Sequence, residues 1–317
     1  MIEFNESIID KLIFHKISTN GNLSIVNNKL YKYKNEEEEN ILKNIFLKPF
    51  ISQITTYEFN HEIDLNLNIL FQLSKSIYDD EDFIEKSKDI FTHLKTVSKH
   101  PNIKDGDLFI VKYEDILFNN GYYEALGIYK IENKENFIEI DSNKNLIFKK
   151  GISNKKLDKA CLILFANKPY TIFIIDNANK DTEYWKDEFI NVKLKNDFIN
   201  NTTQSLQLTR DFIKEELSQQ SKNSKVDQAA LLNKSVQFFK EKDNFNMGEF
   251  ANEVMEQPEV IERFNQYKSV WQQEHEIDIP DDFTISDSAV KKQARIFKSV
   301  IKLDKNFHIY VHGNSDL

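Results

Sequence analysis

From Lys104 to Asp176 the sequence is a succession of short apolar runs separated by turn residues, and most of the connections are too short to hold a crossover helix. Asp105-Gly106-Asp107 precedes Leu108–Tyr113; Asn119-Asn120-Gly121 separates it from Tyr122–Ile131; Phe137–Ile140 and Leu146–Phe148 follow. Cys161–Phe165 and Tyr170–Ile175 form a further pair across Asn167-Lys168-Pro169. Parallel neighbours need a dozen or more connecting residues, so this spacing favours an antiparallel meander over βαβ units.

The flanks obey a different period. Residues 1–34 read as short strands with a turn at Asn20-Gly21, and Glu36–Glu39 is an acidic first turn for a helix that ends near Pro49. Leu65–Tyr78 and Asp82–Lys99 carry helical spacing, with Asp79–Asp82 as linker and cap; the calcium-loop spacing and its glycine are missing there. Beyond Tyr184-Trp185, helices are expected over Asp197–Leu217, Ser224–Lys242 and Pro258–His275, with Gln219–Ser224 as a polar loop. Ile279–Ile285 reads as an edge strand, Ser286–Lys305 as a helix and Phe307–Val311 as a final strand. The expected class is α+β: an N-terminal mixed domain over 1–180 with antiparallel sheet and helices, and a mainly helical domain over 181–317 closing on a strand.

The 317 residues, 40% hydrophobic with 25 Phe, suffice for two buried cores. One cysteine, Cys161, excludes a disulfide framework and suits a reducing compartment. The first residues lack a basic segment followed by an apolar one, and no apolar run approaches bilayer length, so a soluble cytoplasmic protein with no membrane partner is expected. GxGxxG, Walker, GxSxG, HExxH and CxxC patterns are absent; no cofactor, catalytic set or metal site is expected.

Against a net charge of -9, the segment from Ala289 to Lys305 holds six Lys/Arg and one acid. As a helix it places Lys291, Arg295, Lys298 and Lys302 on one ridge, with Lys292 and Lys305 at its margins and Val290, Ala294, Ile296, Phe297, Val300, Ile301 and Leu303 opposite. Cations spaced along a rigid element neutralise several phosphates at once and release counterions. A solvated helix face is the plain alternative, but such faces usually interleave Glu at i,i+4, and this one does not. Lys149, Lys150, Lys155, Lys156 and Lys159 form a weaker cluster around Gly151. His308 and His312 on a strand would lie about 13 Å apart, too far to share a metal. Glu139, Asp141 and Lys144 match the acid–acid–lysine set of a metal-dependent nuclease only loosely.

Several stretches carry a resemblance. Lys291-Lys292-Gln293-Ala294-Arg295-Ile296-Phe297-Lys298-Ser299-Val300, then Leu303 to Tyr310 and His312-Gly313-Asn314, closely resemble the C-terminal signature of the bacterial 37-kDa nucleoid-associated protein family. Tyr184-Trp185-Lys186-Asp187-Glu188-Phe189, Lys225-Val226-Asp227-Gln228, and Gly151-Ile152 with Lys155-Lys156-Leu157-Asp158-Lys159 are similar to further parts of it. The resemblance implies a cytoplasmic, nucleoid-localised DNA-binding protein associated with type II topoisomerases, without carried-over catalytic residues. It also implies another strand beyond His-Gly-Asn, which this chain would lack. The resulting expectation is sequence-tolerant binding of double-stranded DNA through the basic helix. The alternatives are a protein-interaction adaptor for a topoisomerase or a defence complex, and an enzyme such as a nuclease. A homo-oligomer is compatible with all three.

Overall fold

The computed structural model describes residues 2–18, 23–99, 103–153, 156–177, 184–217, 225–296, 299–304 and 307–311; side chains of 225–226, 296 and 299–311 are not part of that description. The expected loop at Gln219–Ser224 lies outside it. The chain forms two compact units, Met1–Lys195 and Asn196–Leu317.

The first unit is built on one antiparallel sheet. Its strands are β1 (Ile2–Glu3), β2 (Ile8–Ile17), β3 (Tyr57–Phe59), β4 (Gly106–Phe118), β5 (Gly121–Ile131), β8 (Lys159–Leu164), β9 (Thr171–Asp176) and β10 (Val192–Leu194). The order is β4-β5-β8-β9-β3-β10, with β1 and β2 sharing the other edge of β4. Between β5 and β8 a separate hairpin is formed by β6 (Glu135–Ile140) and β7 (Leu146–Gly151). The expected meander is therefore present, with this hairpin set apart from the main sheet. At the β4–β5 turn, Asn119 and Asn120 both take positive φ (48° and 65°), the geometry that lets a two-residue turn follow strand twist.

The inner strands are buried on both faces because helices cover each side. On one face Leu108, Ile110, Leu126, Ile128, Cys161, Ile163 and Ile172 pack against α2 (Ile69–Tyr78) and α3 (Phe83–Val97), α1 being Glu36–Phe46. On the other face Phe46 of α1 lies 4.4 Å from the Tyr129 ring and 5.1 Å from Phe109, and Tyr129 meets Tyr113 hydroxyl to hydroxyl at 3.0 Å. Each large side chain buried this way stabilises the unit by about 1.5–3 kcal/mol. Gly127 is required beneath Tyr129: a Cβ there would overlap the Tyr129 hydroxyl.

The helix caps follow the sequence signals. Asp82 accepts hydrogen bonds from the amides of Ile84 and Glu85 at the start of α3, and Asn35 accepts one from Glu38 at the start of α1. The expected helix over Leu65–Tyr78 is instead a short 3-10 turn and then α2. Asn68 interrupts it, capping Phe71 while its amide donates to the carbonyls of Asn60, Ile190 and Asn191. A π-helical segment, Trp185–Ile190, leads into β10, which pairs with β3. That pairing keeps residues up to Lys195 with the first unit, beyond the boundary expected near 180. Cys161 is fully buried and burial pushes its thiol pKa up. A thiol reagent should leave the native protein unlabelled and modify one thiol after denaturation, as counted by mass spectrometry.

The second unit is arranged around α4 (Phe198–Phe212), continued by a π-helical turn over Ile213–Leu217. Around it lie α5 (Lys225–Glu241), α6 (Met247–Phe250), α7 (Pro258–Glu274) and α8 (Asp287–Ile296). A two-stranded ribbon pairs β11 (Asn244–Asn246) with β12 (Asp282–Thr284), the second within the expected edge strand. The core is aromatic: Phe212 packs on Phe264 at 5.1 Å, and Phe239, Phe245 and Phe283 stack at 5.1 and 4.7 Å. Last come β13 (Ser299–Asp304) and β14 (Phe307–Val311), an antiparallel pair. The fold is α+β, with a mainly helical C-terminal part.

Candidate nucleic-acid interface

The basic helix is shorter than its periodicity predicts. Helix α8 ends at Ile296, and Ser299–Asp304, expected to continue it, is strand β13. The β-branched residues Val300 and Ile301 suit a strand, and the pairing partner is the strand β14 that follows immediately. Lys302 therefore lies on β13 opposite His308 and not on a helical ridge with Lys291 and Arg295. Lys298 and Lys305 lie outside the described residues, as does His312.

What remains of the ridge is well positioned. The start of α8 is held by Ser286, whose oxygen accepts from the Ala289 amide at 3.4 Å and whose amide donates to Thr202 Oγ1 of α4 at 2.9 Å. Thr202 in turn donates to the Phe198 carbonyl at 2.7 Å. Ala289, Val290 and Gln293 are buried and Ala294 packs on the core, which turns Lys291, Lys292 and Arg295 outward. Lys291 and Arg295 are one turn apart, so their side chains lie one above the other. Partial desolvation lowers the pKa of the Lys292 ammonium. Thr202→Val is expected to destabilise the second unit by about 1–3 kcal/mol, because it leaves the buried Ser286 amide without an acceptor; the denaturant midpoint reports it.

Several cations elsewhere in the chain are paired with acids. Arg210 is bound to Asp211 at 2.9 Å and Arg263 to Glu216 at 3.0 Å. Lys86, Lys134, Lys242 and Lys268 each hold an acid within 3 Å. Lys291 and Arg295 make no ion pair or hydrogen bond among the described residues. Arg295 sits in the last turn of α8, where the helix dipole favours a cation, and Lys291 lies mid-helix, one turn above Asp287.

The weaker cluster is divided. Lys149 is paired with Glu139, Lys150 and Lys156 are exposed, Lys155 is outside the described residues, and Lys159 points inward to Asp176 at 2.6 Å. Lys159 and Lys130 sit over the Tyr184 ring at 5.0 and 5.5 Å, with Lys130 also bound to Glu132 at 2.8 Å and Tyr184 Oη at 3.0 Å. Trp185 Nε1 donates to the Ala160 carbonyl at 3.3 Å. Two stretches far apart in sequence, around Lys159 and Tyr184-Trp185, thus meet as one internal packing site. Their role is to hold the sheet, with the charges mutually satisfied.

The acid–acid–lysine set does not assemble. Asp141 accepts from the amides of Asn143 and Asn145 and closes the β6–β7 turn, which holds its carboxyl below the usual range, while Glu139 is tied to Lys149. Among the described residues no group of three His, Cys, Asp or Glu could hold a metal ion.

A family model described as nucleoid-associated protein YejK matches residues 13–316. The chain belongs to that family. No curated protein matches it. The match spans both units. No helix among the described residues is long and apolar enough to cross a membrane.

Proposed function

We propose that this nucleoid-associated protein binds double-stranded DNA, without reading base sequence, through phosphate contacts made by Lys291, Lys292 and Arg295 on α8. Lys298, Lys302 and Lys305 follow within ten residues of Arg295 and extend the same basic stretch. The observation that carries the reading is the exposed Lys291–Arg295 pair without acidic partners, in a family defined by association with the nucleoid. Backbone contacts of this kind position a protein on DNA and carry no sequence information, so any preference comes from DNA shape. The nucleoid is then its place in the cytoplasm, and no catalytic step is assigned to it.

The test is a salt-titrated isotherm on duplex DNA. Four to six phosphate contacts give a slope of log K against log salt of about -4 to -5. A slope near zero overturns the reading. The adaptor reading, with a type II topoisomerase as partner, makes the opposite prediction: a pull-down that survives both high salt and nuclease.

A further inference from the structure

The β6–β7 hairpin exposes an apolar face that no other described residue of its unit covers. The register sets Ile138 opposite Phe148 and Ile140 opposite Leu146, and these four side chains share one face. They are 63%, 73%, 69% and 60% exposed respectively. The opposite face is mixed and less exposed: Phe137 (44%) lies over Gly151, Ile147 is 37% exposed, and Glu139 pairs with Lys149. Among the described residues β6 and β7 pair only with each other. A two-stranded ribbon in water is marginal unless a face is covered.

We propose that this face is a self-association surface, on which the hairpin of a second copy of this chain packs face to face about a two-fold axis. Charge argues for a copy and against a polyanion. Residues 135–151 hold three acids (Glu135, Glu139, Asp141) and three lysines (Lys144, Lys149, Lys150), so the ribbon is neutral while the chain carries -9. Two chains that repel each other over most of their surface meet here without that cost. DNA or an anionic lipid surface would instead favour a ribbon with excess positive charge, and here three acids balance three lysines, one of them, Lys149, bound to Glu139.

Shape and area agree. The isoleucine pair lies on β6 and Leu146 with Phe148 on β7, so a two-fold running along the strands places each isoleucine row on the partner's Leu146–Phe148 row. Four side chains this exposed present roughly 500 Å² of apolar surface, and two copies together remove about 1,000 Å² from water, the lower end for a specific interface. An interface of this size belongs to the small, reversible class.

The experiment is sedimentation velocity of the full chain without DNA over a wide concentration range. The wild type is compared with Ile138→Thr/Ile140→Thr/Phe148→Thr. Threonine keeps strand preference, so the hairpin persists while its apolar face is lost. Expected is a concentration-dependent shift from one to two chains, weakened at least about a hundredfold in the variant, with unchanged far-UV circular dichroism. Slowed amide exchange over 135–151 at high wild-type concentration locates the contact. A wild type that stays monomeric, or a variant that dimerises as tightly, overturns the proposal. So does a wild type that binds lipid vesicles through this face without self-associating. Because DNA is absent, the outcome is independent of the α8 reading.

Discussion

Lys291→Ala/Lys292→Ala/Arg295→Ala is expected to lower duplex-DNA affinity about a hundredfold at moderate salt and to reduce the log K–log salt slope by about 3. Each phosphate contact contributes nearly one unit of slope through counterion release. The loss should be uniform across DNA sequences, since backbone contacts carry no base information. These side chains make no contribution to the core, whose α8 positions are Ala289, Val290, Gln293 and Ala294, so the thermal midpoint should move little. Fluorescence anisotropy with a labelled duplex at several salt concentrations measures both quantities. An unchanged slope in the triple variant sinks the assignment of these residues, even where the wild type binds DNA.

The second large effect concerns acid stability. His15 on β2 is fully buried, with Nδ1 accepting from the Asn27 amide at 3.1 Å and Nε2 3.1 Å from Ser87 Oγ. Ser87 donates to the Ile84 carbonyl at 2.6 Å, so its oxygen is left to accept from Nε2–H, and the ring is neutral. Burial, reinforced by the positive charge of Lys88, lowers the His15 pKa to about 4. In the unfolded chain the same imidazole titrates near 6.5. Above pH 6.5 it is neutral in both states and the full stability is present. As pH falls from 6.5 towards 4 the unfolded state takes up a proton that the folded state refuses, and about 3 kcal/mol of stability is lost. His93, whose pKa burial also lowers, adds in the same direction. Denaturant unfolding at a series of pH values should show this fall, and His15→Gln should flatten it while lowering stability at neutral pH. Equal slopes in the two proteins would exclude His15 as the source.

Much of the architecture is legible along the chain because its signals are local. Asn119-Asn120-Gly121 requires a tight turn, Asp82 and Asp197 cap the amides that follow them, and alternation at Phe307–Val311 gives a strand. The features that escaped detection depend on distant partners. β3 and β10 are three residues each, too short for a period, and exist because each offers the other an edge. The π-helical turn at Trp185–Ile190 is set by packing of Trp185 beneath β8.

The basic stretch divides along the same line. Its composition alone established the concentration of positive charge between Ala289 and Lys305, and the family signature lies in the order of its residues. Whether those cations share a ridge was settled by competition between two periodicities. A helical pattern and a β-branched run overlap at Ser299–Leu303, and pairing with Phe307–Val311 draws that run into a strand. Burial of Ala289, Val290 and Gln293 then leaves Lys291 and Arg295 facing outward. Lys159, equally basic in the sequence, turns inward to Asp176, because its strand is buried on both faces and an acid on the neighbouring strand is there to receive it. Charge is carried by the residue; the side of the fold on which it acts is chosen by what packs against its neighbours.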